Sequence, residues 1–185
     1  MPATRKTAAS RPSSAARART KAPDAIALLK EDHQKVSAQL EQYEKTRSPA
    51  KKQALVSTIC LELSIHAIVE EEIFYPAVKA ALKDRELVPE AIVEHATLKE
   101  FIAKVDGKLP DGEMFDAQIQ VMSEYVKHHV KEEQTEMFPK ARKTRLDMAE
   151  LAQRILDRKE ELKANPAGLP KDPAAVAKLA ETTPA

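Results

Sequence analysis

IHAIVEEEIFYP at residues 65–76 and HHVKEEQTEMFP at residues 128–139 are two versions of one phrase. Each sets a histidine four residues before a glutamate and ten before a proline: His66, Glu70 and Pro76 in the first, His129, Glu133 and Pro139 in the second. Four residues is just over one α-helical turn, so each histidine and its glutamate leave the same helix face. The rest of that face is apolar. Leu55, Ile59, Leu63, His66, Glu70, Ile73 and Ala77 follow one stripe, and Phe115, Ile119, Met122, Val126, His129, Glu133 and Met137 follow another. Such stripes are the inward faces of bundle helices that carry polar groups into a core.

Two further stripes lie outside these phrases. Ile26, Leu29, His33, Val36, Leu40 and Tyr43 recur at spacings of three and four after Pro23-Asp24, which opens a first helix. Val88, Ile92, His95, Leu98, Ile102 and Val105 mark a third helix, closed by Gly107 and Pro110. The second helix follows the break at Ser48-Pro49 and the fourth begins near Asp111-Gly112. Pro76 and Pro139 are expected to end or kink their helices. Leu146, Leu151, Ile155 and Leu162 predict a fifth amphipathic helix, from about Thr144 to Lys163, outside the bundle.

The helices form an internal repeat: His33 and His95 are 62 residues apart, and His66 and His129 are 63 apart. Two αα-hairpins related in this way pack antiparallel and bring equivalent positions to one level of the core. One buried histidine is satisfied by a backbone carbonyl. Four histidines and two glutamates in one layer need a common partner, because each uncompensated polar group costs several kcal/mol to bury. A pair of metal ions is the simplest, since neutral imidazole and carboxylate are both ligands for iron, manganese or zinc. The expected metal residues are His33, His66, Glu70, His95, His129 and Glu133.

His128 and Glu132 are also four residues apart, so the register of the fourth helix has to be settled. Counting back from His129 meets Val126, Met122 and Ile119, whereas counting back from His128 meets Glu124 or Tyr125 and then Val121 and Ala117. The spacing to proline also selects His129, and His128 is expected to flank the site or be exposed. Tyr125, one turn before His129, is expected to pack rather than reach the site.

The segments LLKEDHQKV, IHAIVEEEIFYP, VEHATLKEF and HHVKEEQTEMFP resemble the four ligand helices of hemerythrin-like proteins, the HHE cation-binding family, over about residues 24–163. The resemblance implies an all-α, up-down-up-down four-helix bundle with an additional C-terminal helix. It also implies a di-iron centre, two iron ions with carboxylate and oxo or hydroxo bridges. The third helix departs from the oxygen-carrying members, which resemble H-x-x-x-H there, because Ala91 and Lys99 flank His95 at four residues. A ligand fewer leaves an open position and favours reactivity over reversible oxygen carriage. Ferritin-like sites differ in using four carboxylates and histidines at i, i+3 of glutamate.

Composition agrees with a helical protein of one core: 185 residues, 43% hydrophobic, 32% charged, three glycines and no tryptophan. Residues 1–22 form a basic tail carrying Arg5, Lys6, Arg11, Arg17, Arg19 and Lys21 and no acid before Asp24. Setting those six aside from the 30 Lys+Arg leaves 24 against 29 Asp+Glu, so the remainder, at about −5, is not built to coat nucleic acid. The tail is expected to be disordered and shares its composition with organellar transit peptides, but it lacks a secretory apolar run. No stretch of about 20 apolar residues predicts a membrane span. The lone Cys60 predicts a reduced, cytoplasmic protein. Residues 23–163 are expected to form the bundle with its outer helix, and residues 164–185, rich in proline and alanine, a flexible end.

The expected function is a cytoplasmic non-haem di-iron protein that binds or reduces O2, nitric oxide or peroxide, or senses iron and oxygen. The alternative is a non-catalytic iron store, donor or partner-binding sensor. Whether the centre turns over substrate, and the oligomeric state, are left open by the residues.

Overall fold

Asp24 starts the first helix in the way its position demands, its side chain accepting the Ala27 N–H at 3.1 Å while Arg142 pairs with both of its oxygens. The computed structural model describes residues 24–83, 85–166 and 169. Its elements are α1 (Ala25–Lys45), α2 (Pro49–Val69), a π-turn π1 (Glu70–Phe74), α3 (Tyr75–Leu82), α4 (Leu87–Val105), α5 (Gly112–Glu132), a second π-turn π2 (Glu133–Met137), α6 (Phe138–Arg142) and α7 (Met148–Ala164). No strand is present among the described residues. The basic segment 1–22 and residues 170–185 lie outside them.

The chain is the expected all-α, up-down-up-down bundle. α1 packs on α2 and α5, and α4 packs on α5 and α2, which closes a ring of four. Asp147 caps α7 by accepting the N–H groups of Ala149 and Glu150, both at 3.0 Å. α7 then lies outside the ring against α1 and α2, burying Leu151, Ala152, Ile155 and Leu162. Contact with the bundle continues beyond it, because Leu169 is buried in the same cluster.

The two prolines do not end their helices. Helical backbone runs from Pro49 to Leu82 and from Gly112 to Arg142, and each proline follows directly on a widened turn. In those turns the Tyr75 N–H bonds Glu70 O and the Phe138 N–H bonds Glu133 O, five residues back. A proline has no N–H and crowds the carbonyl four residues before it, and the wide turn removes that conflict without a break. It also rotates the face that follows. Tyr75 and Val78 are fully buried beside Phe74, whereas Ala77, which a regular helical period places inward, is only half-buried.

Pro49–Leu82 is also long and apolar enough to cross a membrane by length and composition, which the count of apolar residues did not suggest. Its apolar side chains are spent on the bundle: more than half of the most hydropathic stretch is buried, and the helix carries His66 and Glu70 into the core.

That core is in two parts. One apolar cluster includes Ile26, Leu29, Phe74, Val78, Phe138 and the inner face of α7. The other includes Val36, Leu40, Ile59, Leu63, Leu98, Ile119 and Met122. Between them, at the level of His33 on α1 and His66 on α2, lies a polar layer.

Candidate metal centre

All six predicted residues enter that layer. His33 comes from α1, His66 from the last turn of α2, His95 from α4 and His129 from α5, while Glu70 and Glu133 are the first residues of the two π-turns. None is more than 6% exposed. The Nε2 atoms converge, 2.9 Å apart for His33 and His66 and 3.2 Å apart for His95 and His129. Glu70 Oε2 lies 3.1 Å from His66 Nε2 and 3.4 Å from His95 Nε2. Glu133 Oε2 lies 3.2 Å from His33 Nε2 and 3.6 Å from His129 Nε2. Each carboxylate thus spans both histidine pairs.

Two overlapping sets have their ligand atoms within 4.8 Å of one another: His33, His66, Glu70 and Glu133, and Glu70, His95 and His129. Nitrogen and oxygen donors this close suit a cation between them. Protein partners alone do not satisfy the layer. Glu70 Oε1 is buried with no hydrogen-bond partner, and Glu133 Oε2, although it lies beside His33 and His129, accepts no well-formed hydrogen bond, an arrangement costly enough to call for an explanation.

The charges point the same way. Burial works against ionisation of Glu70, yet His66, His95 and His33 hold its carboxyl far below the ordinary range. Burial likewise opposes the charge on His66, but Glu70 and Asp32 raise its pKa well above normal. Burial lowers His95, with His129 adding to the effect against Glu71 and Glu70. His129 is raised by Glu94 and Glu133 against burial. In the metal-free chain the layer therefore keeps Glu70 ionised and favours a proton on His66 and His129 over one on His95.

The outer nitrogens extend the repeat. His66 Nδ1 meets Asp32 Oδ2 at 3.1 Å, and His129 Nδ1 meets Glu94 Oε2 at 2.7 Å; Asp32 and Glu94 each precede the histidine of their own helix. His95 Nδ1 meets Glu71 Oε1 at 3.0 Å, and His33 Nδ1 meets the Gln134 amide at 3.2 Å; Glu71 and Gln134 each follow a layer glutamate. An imidazole bonded through Nδ1 to a carboxylate turns a basic Nε2 inward, as metal-bound histidines do. Lys159 of α7 pairs with Asp32, and Lys99 with Glu71, at 2.5 and 2.7 Å to its two oxygens. Lys99 is thus committed outside the layer rather than standing in for a histidine.

Sequence reasoning passed over Tyr75 and these outer partners. The Tyr75 hydroxyl is 3.0 Å from Glu133 Oε1, 3.3 Å from Glu70 Oε2 and 3.2 Å from His95 Nε2. Burial and then the two carboxylates hold its proton far above a phenol's ordinary range. Its counterpart in the second half is Phe138, which stacks on His33 with ring centroids 5.8 Å apart. Tyr125, as expected, packs elsewhere, against Phe101. His128 is 60% exposed, in keeping with its assigned register.

Beside the four histidines is a cavity of about 20 Å³, walled by Val36, Leu63, Leu98, Val126 and Val130 with Asp32 at its edge. A water-sized guest fits, and the walls are nearly all apolar.

Known proteins share this fold and much of this sequence pattern. The chain is 22% identical to a hemerythrin HHE cation-binding-domain protein of Mycobacterium kansasii, whose crystal structure superposes with a TM-score of 0.66 over 77% of this chain and 88% of that one. It is also 24% identical over 111 residues to a protein of Nostoc sp. (strain PCC 7120 / SAG 25.82 / UTEX 2576) named DNA nickase, a match covering 60% of this chain and 31% of that protein. Residues 24–141 match the hemerythrin HHE cation-binding domain, and with the match spanning most of the bundle the chain belongs to that family.

Proposed function

We propose that His33, His66, Glu70, His95, His129 and Glu133 hold two iron ions, and that the centre binds or reduces O2, nitric oxide or peroxide. The observation that carries this reading is the buried layer itself: two carboxylates shared between two histidine pairs, each with an oxygen that accepts no hydrogen bond. Iron supplies one electron per ion and an open coordination position for a small oxidant.

The residues around the layer suit such a guest. The apolar walls and the small volume of the cavity suit a guest of about water size and leave no room for an organic substrate. An ion on the His95 and His129 side would gain no further imidazole from Ala91 or Lys99, one turn either side of His95, and would keep a position open to a guest. There the Tyr75 hydroxyl holds a proton 3.2 Å from His95 Nε2, and the matching Phe138 offers none to His33. Asp32, Glu71 and Glu94 orient the imidazoles from outside. The matched segment is under a third of the Nostoc protein, so the DNA nicking in its name is not carried over to this chain.

The test is to load the chain with Fe(II) without oxygen and mix it with O2, peroxide or nitric oxide under rapid optical observation. Oxidation by O2 to a diferric form, with nitric oxide competing for the same position, is expected. Repeated binding and release of O2 without oxidation would show a carrier instead and overturn the reading.

A further inference from the structure

His128, exposed, and Glu132, half-buried, were set aside when the register of the fourth helix was fixed, but they are not idle in the fold. His128 Nε2 lies 3.4 Å from Glu132 Oε1 on its own helical run and 3.6 Å from Glu94 Oε1 across on α4. The three side chains can offer their ligand atoms within 4.8 Å of one another. A cation about 2.1 Å from each donor in a tetrahedral arrangement needs donors about 3.4 Å apart, close to the two separations from His128.

Glu94 makes this more than a surface ion pair. Its Oε2 accepts from His129 Nδ1 at 2.7 Å, while its Oε1 faces His128, so one carboxylate joins the outside to a histidine of the buried layer. The three outer carboxylates also differ. Lys159 neutralises Asp32 and Lys99 neutralises Glu71, but among the described residues no lysine or arginine pairs with Glu94 or Glu132. Glu94 is itself buried, but it alone of the three touches a second, solvent-facing imidazole, that of His128, which with Glu132 is 60% and 33% exposed.

We propose that His128, Glu132 and Glu94 form an outer docking site for a divalent transition-metal cation, from which ions enter the buried layer past His129. The site concentrates cations at the protein surface, and Glu94 then links that position to the His95 and His129 half. This route rests on the reading of the buried layer as a metal centre.

Cobalt(II) is a suitable probe, because its visible absorption reports protein ligands. Metal-free full-length chain mixed with limiting Co(II) should fill the buried layer about tenfold more slowly in His128→Ala and Glu132→Gln than in wild type, the low end of what local focusing of charge does to an association rate. Both variants should still reach the wild-type final content. Glu124→Gln, which alters the charge of the same helix outside the cluster, should fill at the wild-type rate. With the buried layer already filled by zinc, wild type should bind one additional Co(II) and His128→Ala none. Unchanged filling rates in both variants, or an additional Co(II) retained by His128→Ala, overturn the docking site alone. A wild-type chain that takes up no cobalt in the layer overturns the centre and the route together.

Discussion

The Tyr75 hydroxyl donates toward Glu70 Oε2 at 3.3 Å across a sequence separation of five. In a regular α-helix, five residues turn the side chain about 140° away from its starting face. The π-turn at Glu70–Phe74 takes up that difference and brings the carboxylate and the phenol together. Its twin at Glu133–Met137 brings Phe138 round in the same manner, and the centre becomes unequal because one half presents a hydroxyl and the other a bare ring. Widened turns of this kind are frequently found at functional sites.

Tyr75→Phe, which copies Phe138 into the first half, therefore tests the inequality. The metal-free fold should lose only about 1 kcal/mol for a hydrogen-bonded hydroxyl, and iron content should stay at the wild-type level. The optical spectrum of the oxidised centre and its rate of formation with O2 should change. A variant identical to wild type in both would deny the hydroxyl any role.

The outer carboxylates should matter for affinity although they face away from the layer. Asp32→Asn and Glu94→Gln each leave a histidine in place but weaken its anchor, and a loss of about 10- to 100-fold in metal affinity is expected. Competition against a chelator of known strength measures it. Affinities equal to wild type in both variants would mean that the imidazoles are oriented by packing alone.

Metal loading should release protons. His66 is raised above its ordinary range by Glu70 and Asp32 despite burial, so near neutral pH the metal-free chain holds a proton there that an incoming cation must displace. Affinity should then climb as pH rises from 6 towards 8, and calorimetry in buffers of different ionisation enthalpy should register the released proton. Binding that is independent of pH over that range contradicts the layer's electrostatics.

Cys60 should be inert in the native chain. It is buried, and burial, with a contribution from Asp106, pushes its thiol up to about 12. At pH 8 almost no thiolate forms, so a thiol reagent should label it only at the rate of unfolding. Rapid labelling of folded protein would show that this part of the α2 core opens easily.

The fold and the six inward residues are legible in the sequence because they obey the helical period. His33, His66, His95 and His129 occupy seams whose other members are mostly Leu, Ile, Val and Met, and the apolar register together with the spacing to proline chose His129 over His128. What breaks the period is not legible. Tyr75 falls off the stripe of Glu70 until the π-turn is known, and Pro76 and Pro139 read as breaks although the wide turns absorb them. Asp32, Glu71 and Glu94 look like ordinary solvated charges, since each adjoins a layer residue in sequence but serves a histidine of another helix. The repeat held a usable signal: Asp32 precedes His33 as Glu94 precedes His95, and an acid that recurs beside a buried histidine invites a search for its partner.

Elemental analysis of protein produced with ample iron tests the central claim most directly. About two iron ions per chain are expected, falling to well below one in Glu70→Ala and His129→Ala and unchanged at saturation in His128→Ala. One zinc and no iron, or metal retained in His129→Ala and lost in His128→Ala, would contradict that claim.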